Sequence, residues 1–131
     1  MSPALDGGCL CGRVRYRISR APVSAGICHC RSCRLAAGAE SVAWATVPRD
    51  GVALTGPVTV YASSPGIRRG FCPTCGSALT YDDGGATVDV VLATLDDPEA
   101  IRPEREIWLE HRISWNALDP DLPGFPRGAA D

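Results

Sequence analysis

Apolar and polar residues alternate near the start of the chain, where Val14, Tyr16 and Ile18 are interleaved with arginines. A period of two places these three apolar side chains on one face, which is typical of a half-buried β-strand. The arginines then lie on the opposite face, which we interpret as exposed to solvent. The segment is therefore predicted to be a strand with one buried face.

Similar strand patterns recur along the chain and are separated by turn signals rich in Gly, Pro and Asp. The predicted strands are residues 42–47, 58–62, 67–71, 77–81, 88–92 and 107–115. One short helical turn is expected across RSCRLAA, residues 31–37, because Leu and Ala favour helix and Gly38 supplies a C-terminal stop. The predicted fold class is mainly β with one short helical turn.

The length and composition fit one ordinary globular domain, which we expect to span residues 1–131. No apolar run approaches the roughly 20 residues that cross a membrane. The first residues show no basic and apolar secretory pattern, so we expect a reducing cytoplasm, where disulfides are rare. The tail, residues 119–131, is rich in Pro and Gly and is expected to wrap the domain or form a loose end.

The charge balance limits the classes of partner. The net charge is −2 and the sequence pI is about 5.6. Proteins that bind nucleic acids usually present a broad basic face. We therefore expect no nucleic-acid partner and no membrane partner.

The seven cysteines divide into two sets, and an odd number argues against a complete disulfide framework. Cys9 and Cys11 form a C-x-C pair, and Cys72 and Cys75 form the tight turn CPTCG. Two such pairs supply four thiolates, which is the ligand set of a closed structural zinc site. We call these residues the four-cysteine cluster.

The remaining cysteines, Cys28, Cys30 and Cys33, lie within CHCRSC and form a second set, which we call the three-cysteine cluster. In an extended segment Cys28 and Cys30 point the same way, and a helical turn entered at Cys30 brings Cys33 to the same side. Three thiolates can then bind a second zinc, which gives two zinc ions per chain.

Neither histidine is a well-placed fourth ligand for this set. His29 lies between two residues that share a face and is expected to point the other way. His111 shares a face with apolar residues of the predicted strand 107–115, so we expect a hydrogen-bonded histidine in the core. An open fourth position is typical of catalytic zinc. The alternative is a second structural zinc completed by an Asp, a Glu or a partner chain.

Four motifs, in the order GGCLCGRVRY, CHCRSCRLAAG, RRGFCPTCGSAL and a late W…LPGF, resemble the glutathione-dependent formaldehyde-activating enzyme family, which includes centromere protein V. The resemblance implies a single-domain β-tent fold, a structural zinc on the four-cysteine cluster and a catalytic zinc on the three-cysteine cluster. The enzyme that names the family joins formaldehyde and glutathione into S-hydroxymethylglutathione. Its members are described as carbon–sulfur lyases.

The leading hypothesis is a zinc-dependent carbon–sulfur lyase that acts on a small thiol or thiol–aldehyde substrate. A thiol bound at the open position would lose its proton, because a coordinating cation stabilises the thiolate. Arg31 and Arg34 flank the ligands, where they would offset the negative charge and contact the substrate; the alternative is that both are solvent-exposed arginines on a short helix. The alternatives are a non-catalytic binding module stabilised by zinc and a metal or redox sensor that uses the three-cysteine cluster.

Overall fold

Two β-sheets and one short α-helix make up the fold in a computed structural model, which describes residues 4–128. The strands are β1 Leu5–Gly8, β2 Arg15–Ile18, β3 Ser24–Cys28, β4 Val42–Pro48, β5 Val52–Thr55, β6 Thr59–Ser64, β7 Ile67–Phe71, β8 Ala78–Asp82, β9 Thr87–Val91 and β10 Glu106–Ile107. The helix, α1, spans Arg31–Ala37 and ends at Gly38, which has the left-handed φ of 63° that glycine tolerates. The prediction of a mainly β fold with one short helix is confirmed.

The strands form one small and one large sheet. The small sheet has the order β1-β2-β5, and the large sheet has the order β10-β3-β4-β9-β8-β7-β6. All neighbouring strands are antiparallel except β10, which pairs with β3 in parallel. The segment before helix α1 therefore leaves the large sheet directly from β3.

The main hydrophobic core lies between the two sheets. Tyr16 and Ile18 enter it from the small sheet, and Val47, Leu79 and Val90 enter it from the large sheet. All five side chains are at most 3% exposed. The predicted alternation in the first strand is therefore correct, with its apolar face buried and its arginines outside.

The opposite face of the large sheet carries the helix and a second, smaller cluster. Along β4 the alternation sends Ala45 and Val47 into the main core, whereas Val42 and Trp44 pack with the thiols of Cys28 and Cys33. Because successive side chains in a strand point to opposite faces, one strand supports both clusters. The three-cysteine cluster therefore rests on a continuous part of the sheet.

The predicted strand 107–115 is wrong beyond its first residue. Strand β10 is only Glu106–Ile107, and a short 3-10 helix follows at Leu109–His111. Between them Trp108 adopts a left-handed backbone with φ 60° and ψ 39°, which is uncommon for a bulky residue and ends an extended segment. The alternating apolar pattern predicted a strand here, but the backbone turns at Trp108.

The Pro- and Gly-rich tail wraps against this region, which was one of the two expected arrangements; the other was a loose end. The backbone N–H of Glu106 donates to the carbonyl of Pro123 over 2.9 Å, and the N–H of Leu109 donates to the carbonyl of Phe125 over 3.1 Å. Residues 129–131 lie outside the described part. Within residues 4–128, no helix has the length and apolar character needed to cross a membrane.

Candidate metal centres and the adjoining cavity

The four-cysteine cluster joins the two sheets. Cys9 and Cys11 follow β1 in the small sheet, and Cys72 and Cys75 lie in the connection between β7 and β8 of the large sheet. Their four sulfur atoms lie within 4.8 Å of one another. Two loops that are distant in sequence thus place four thiols around one point.

The distances between these sulfur atoms fit a zinc ion. The Sγ atoms of Cys9 and Cys11 are 3.6 Å apart, and those of Cys11 and Cys72 are 3.8 Å apart. A tetrahedron with Zn–S bonds of about 2.3 Å has edges of about 3.8 Å, whereas a disulfide would bring two sulfurs to about 2.05 Å. The donor set and spacing therefore suit a tetrahedral metal.

Two hydrogen bonds support this cluster. The backbone N–H of Val14 donates to Cys9 Sγ over 3.3 Å, and the Ser77 hydroxyl lies 3.2 Å from Cys75 Sγ. Hydrogen bonds from Ser77 are the main cause that lowers the pKa of the Cys75 thiol to about 5. Such contacts favour the thiolate, which is the form that binds a metal.

The three-cysteine cluster is built from the end of one strand and the start of the helix. Cys28 is the last residue of β3, Cys30 has an extended backbone at the N-cap of α1, and Cys33 lies in the first helical turn. The Cys33 N–H donates to Cys30 Sγ over 3.3 Å. The three sulfurs lie within 4.8 Å of one another, which is the arrangement that the spacing predicts.

Within residues 4–128, no further His, Cys, Asp or Glu offers a ligand atom at that distance from all three thiols. His29 contributes nothing to the cluster, as expected. Its ring is buried, and Nε2 lies 2.8 Å from Glu106 Oε1. The second carboxylate oxygen of Glu106 accepts from the N–H of Asp119 over 3.0 Å, so this pair connects the ligand segment to the tail.

The expectation of a core position for His111 is wrong. Its side chain is 41% exposed and lines the mouth of a cavity. The ring packs on Trp108 with 5.3 Å between centroids, and Nδ1 accepts a hydrogen bond from the Arg31 N–H over 3.4 Å. The misplaced residue follows from the wrong strand prediction, because the turn at Trp108 redirects the segment.

A cavity of about 640 Å³ opens beside the three-cysteine cluster and is lined by all three of its residues. Its other walls are formed by Trp44 and Tyr81 on the sheet, whose rings are 6.0 Å apart, and by Ile107 and Trp108. This volume lies in the range of small-molecule sites. The thiols are therefore accessible to a small ligand, and none of the residues of the four-cysteine cluster lines this cavity.

Arg69 is the basic residue in contact with the three-cysteine cluster. Its two terminal nitrogens lie 3.9 and 4.0 Å from Cys33 Sγ, its Nε donates to Ser63 Oγ over 3.2 Å, and its guanidinium carbon lies 5.1 Å from the centre of the Tyr81 ring. Arg31 is exposed and lines the cavity, whereas Arg34 does not line it. The guanidinium that contacts a thiol of this cluster is thus that of Arg69, which the sequence did not predict.

Hydrogen bonds among the three thiols also polarise the cluster. They lower the pKa of Cys30 to about 2 and raise the pKa of Cys28. The positive charge of Arg69 adds to the lowering at Cys30. Burial raises the pKa of the Tyr81 hydroxyl, which keeps it neutral in the cavity wall.

Sequence reasoning missed the sheet residues that complete the cavity. Arg69 and Tyr81 occupy strands that the sequence predicts, and each lies on the face opposite the main core. The alternation in those strands shows which residues share a face, but it does not predict that helix α1 lies over the face that carries Arg69 and Tyr81. The burial of Glu106 could not be predicted, because a lone acidic residue in a segment of mixed polarity gives no signal of burial.

The fold and these clusters define a mainly β protein with two candidate metal centres, one of them beside a cavity. The sequence model of the glutathione-dependent formaldehyde-activating enzyme family matches residues 4–111. The chain belongs to this enzyme family, as the resemblance of its motifs implied. A comparison with curated proteins found no match.

A solved structure agrees with the fold. The crystal structure of a Rhodobacter sphaeroides protein aligns with a TM-score of 0.59 and 22% sequence identity, over 76% of this chain and 92% of that chain. At this identity the similarity shows a shared fold.

Proposed function

We propose that the chain is a zinc-dependent carbon–sulfur lyase that acts on a thiol–aldehyde adduct such as S-hydroxymethylglutathione. The observation that carries the proposal is the set of three clustered thiols, without a fourth side-chain ligand among residues 4–128, at the wall of a cavity. In this proposal Cys28, Cys30 and Cys33 bind the catalytic zinc. The four-cysteine cluster binds a structural zinc.

Family membership supports the choice of substrate. The family is named for formaldehyde activation that depends on glutathione, and the cavity volume suits a molecule of tripeptide size. A cytoplasmic location, where glutathione keeps thiols reduced, suits a chain with seven free cysteines. We treat residues 1–131 as a single zinc-binding domain.

The reaction cleaves one bond and moves one proton. The C–S bond of the adduct breaks with its electron pair on sulfur, the hydroxyl loses its proton to solvent, and the aldehyde C=O forms. The reverse reaction joins thiol and aldehyde. When bound, zinc supplies an open coordination position that stabilises the thiolate form of the substrate sulfur. Arg31 and His111 lie where the cavity meets solvent, so aldehyde and proton can leave there.

Arg69 offsets the negative charge of this reaction. Three protein thiolates already exceed the +2 charge of zinc, and a substrate thiolate adds another negative charge. At about 4 Å and an effective dielectric of about 20, one positive charge contributes about 4 kcal/mol before desolvation. Arg69 lies at that distance from Cys33 Sγ. Arg31 contributes from the cavity mouth, whereas Arg34 has no role in the proposal.

The test is the rate at which glutathione and formaldehyde exchange with their adduct. Exchange spectroscopy with ¹³C-formaldehyde measures this rate against the uncatalysed background. Zinc-loaded protein should accelerate exchange, and Cys30→Ala should return it to background. Ser32→Ala, a change at a neighbouring cavity residue without a thiol, should retain the acceleration. Protein with two bound zinc ions and no acceleration would contradict the proposal.

A further inference from the structure

A row of polar side chains crosses four neighbouring strands on the floor of the cavity. In the sheet register, Thr46 lies opposite Asp89, Asp89 opposite Tyr81, and Tyr81 opposite Arg69. Directly opposite residues project from the same face of a sheet, and all four residues line the cavity. A carboxyl group therefore lies in the middle of the cavity floor.

Asp89 has no cationic partner within residues 4–128, where the ion pairs involve other carboxylates. Arg69, at the end of the same row, is directed to Cys33 and Tyr81. Burial is the main cause that raises the pKa of Asp89, and a hydrogen bond from Thr46 opposes it only in part. A carboxylate taken from water without a counter-ion is costly, and a cationic group on a ligand would remove that cost.

The register also gives the separation between the backbone at Asp89 and the backbone at Cys28, the first residue of the three-cysteine cluster. Cys28 lies opposite Val42 on β4, and Asp89 lies opposite Thr46 on the same strand. Four residues at about 3.3 Å each separate these two positions by about 13 Å along the strand, and β3 and β9 lie two strand spacings of about 4.8 Å apart, so the two backbone positions are about 16 Å apart. A thiol whose amine is two carbons from the sulfur is too short to span this separation. In glutathione eight bonds separate the sulfur from the free amine, against three in cysteamine, so only the peptide thiol, together with the reach of the Asp89 and cysteine side chains, can connect the two positions.

We propose that Asp89 binds the ammonium group of a peptide thiol whose sulfur lies at the three-cysteine cluster, and that it thereby selects thiols with a distant free amine. This inference rests on the proposed function, because it requires that the substrate sulfur be held at those cysteines. Asp89 acts as a specificity residue. The ligand class is a small peptide thiol with a free amino group, of which glutathione is the probe.

The test compares binding of matched thiols to zinc-loaded protein by titration calorimetry, which needs no turnover. One pair is glutathione and glutathione with an acetylated amine. A second pair is cysteamine and 2-mercaptoethanol. Cysteamine carries an amine where 2-mercaptoethanol carries a hydroxyl, and this amine is too close to the sulfur to reach Asp89. The variants are Asp89→Asn, which keeps the shape of the side chain, and Asp83→Asn, which changes an exposed carboxyl outside the cavity lining.

We expect acetylation to weaken glutathione binding at least about tenfold in wild type and in Asp83→Asn, as expected for loss of a hydrogen bond to a charged group. Asp89→Asn should bind glutathione and acetylated glutathione with the same affinity, equal to the weak affinity of wild type for the acetylated peptide. Cysteamine and 2-mercaptoethanol should bind equally well to all three proteins. Equal binding of both peptides to wild type, or retained discrimination in Asp89→Asn, would overturn the inference. If no thiol of either pair binds, the open thiol site is itself refuted, and with it the proposed function.

Discussion

The two cysteine clusters use the same ligand atom in different structural settings. The four-cysteine cluster connects the two sheets, and its members Cys11 and Cys72 are 61 residues apart in sequence. Cys9 and Cys72 are also part of the main hydrophobic core. The three-cysteine cluster is confined to residues 28–33 and lies on the other face of the large sheet, beside a cavity.

The two settings favour different roles: stabilisation of the fold by the four-cysteine cluster, and reaction chemistry at the three-cysteine cluster. A metal that joins distant loops stabilises the whole fold, because it closes a long segment that would otherwise be free in the unfolded chain. A metal held by three residues of one short segment constrains little of the chain. Within residues 4–128 no fourth side-chain ligand completes the three-cysteine cluster, which in the proposed function leaves a position for a reactant. On the ligand count and the separation in sequence we propose a structural role for the four-cysteine cluster and a catalytic role for the three-cysteine cluster.

The largest expected difference is between Cys72→Ala and Cys30→Ala. Zinc binding to structural sites carries an apparent free energy on the order of 10 kcal/mol, comparable with the whole stability of a small domain. Cys72→Ala should therefore unfold or precipitate the protein, whereas Cys30→Ala should remain folded. Circular dichroism and thermal melts measure this difference. Equal loss of structure in both variants would reverse the assignment of roles.

The metal content of the same samples sharpens this comparison. Elemental analysis should find two zinc ions per wild-type chain after purification without chelator, and one in Cys30→Ala. A wild-type stoichiometry that stays at one zinc ion per chain after reconstitution would contradict zinc binding by the three-cysteine cluster.

The next effect concerns the support of the three-cysteine segment by the tail. Glu106→Ala removes the partner of buried His29 and the acceptor for the Asp119 N–H. Leaving buried hydrogen-bonding groups without their partner costs about 1–3 kcal/mol. Denaturant melts should show this loss, and thiol binding should also weaken because His29 lies between two ligands. Glu99→Ala, a change at an exposed acidic residue, is the control. A Glu106→Ala protein as stable as this control would contradict the support role.

A smaller effect is expected at Arg69, where charge and hydrogen bonding can be separated. Arg69→Gln should weaken binding of a small thiol to zinc-loaded protein by about tenfold, since hydrogen bonds to charged groups contribute about 1.5 kcal/mol or more. Arg69→Lys should recover part of this loss because it retains the charge. Arg68→Gln, on the exposed face of the same strand, should bind thiol like wild type. Identical thiol affinity in Arg69→Gln and Arg68→Gln would exclude charge compensation by Arg69.

The smallest expected effect is on stability at Asp89. Burial raises the pKa of this carboxyl above its ordinary value of 3.8. Its contribution to stability is therefore fully present below pH 3.8 and is lost as the pH rises through the raised pKa. At pH 7 Asp89→Asn should melt a few degrees above wild type, and the difference should shrink as the pH falls from the raised pKa of Asp89 toward 3.8. A variant less stable than wild type at pH 7 would show that Asp89 has a structural role.

Much of the fold could be predicted because local patterns and tertiary structure agree. The alternation at Tyr16 and Ile18 and the thiol spacing of both clusters depend on the periods of strand and helix alone. Three strands were not predicted: β1, LDGG, β3, SAGIC, and β5, VALT. These short segments carry no alternating signal, and their pairing with neighbouring strands decides their structure.

The cavity could not be predicted because it depends on contacts between distant segments. Asp89 and Arg69 become neighbours in one row only through the order of strands β9, β8 and β7. The misplacement of His111 has the same origin, since the turn at Trp108 is set by hydrogen bonds with the tail. Ligand spacing is a local property, whereas the shape of a substrate site is not.

The most direct test of the open position is the absorption spectrum of the cobalt-substituted protein during titration with a small thiol. We predict that the sulfur-to-metal charge-transfer band strengthens as the thiol binds, that binding tightens as the pH rises toward the thiol's own pKa because a proton must be released, and that Cys30→Ala abolishes the change. A spectrum that already reports four sulfur or nitrogen ligands at both sites, and that no thiol alters, would contradict the account.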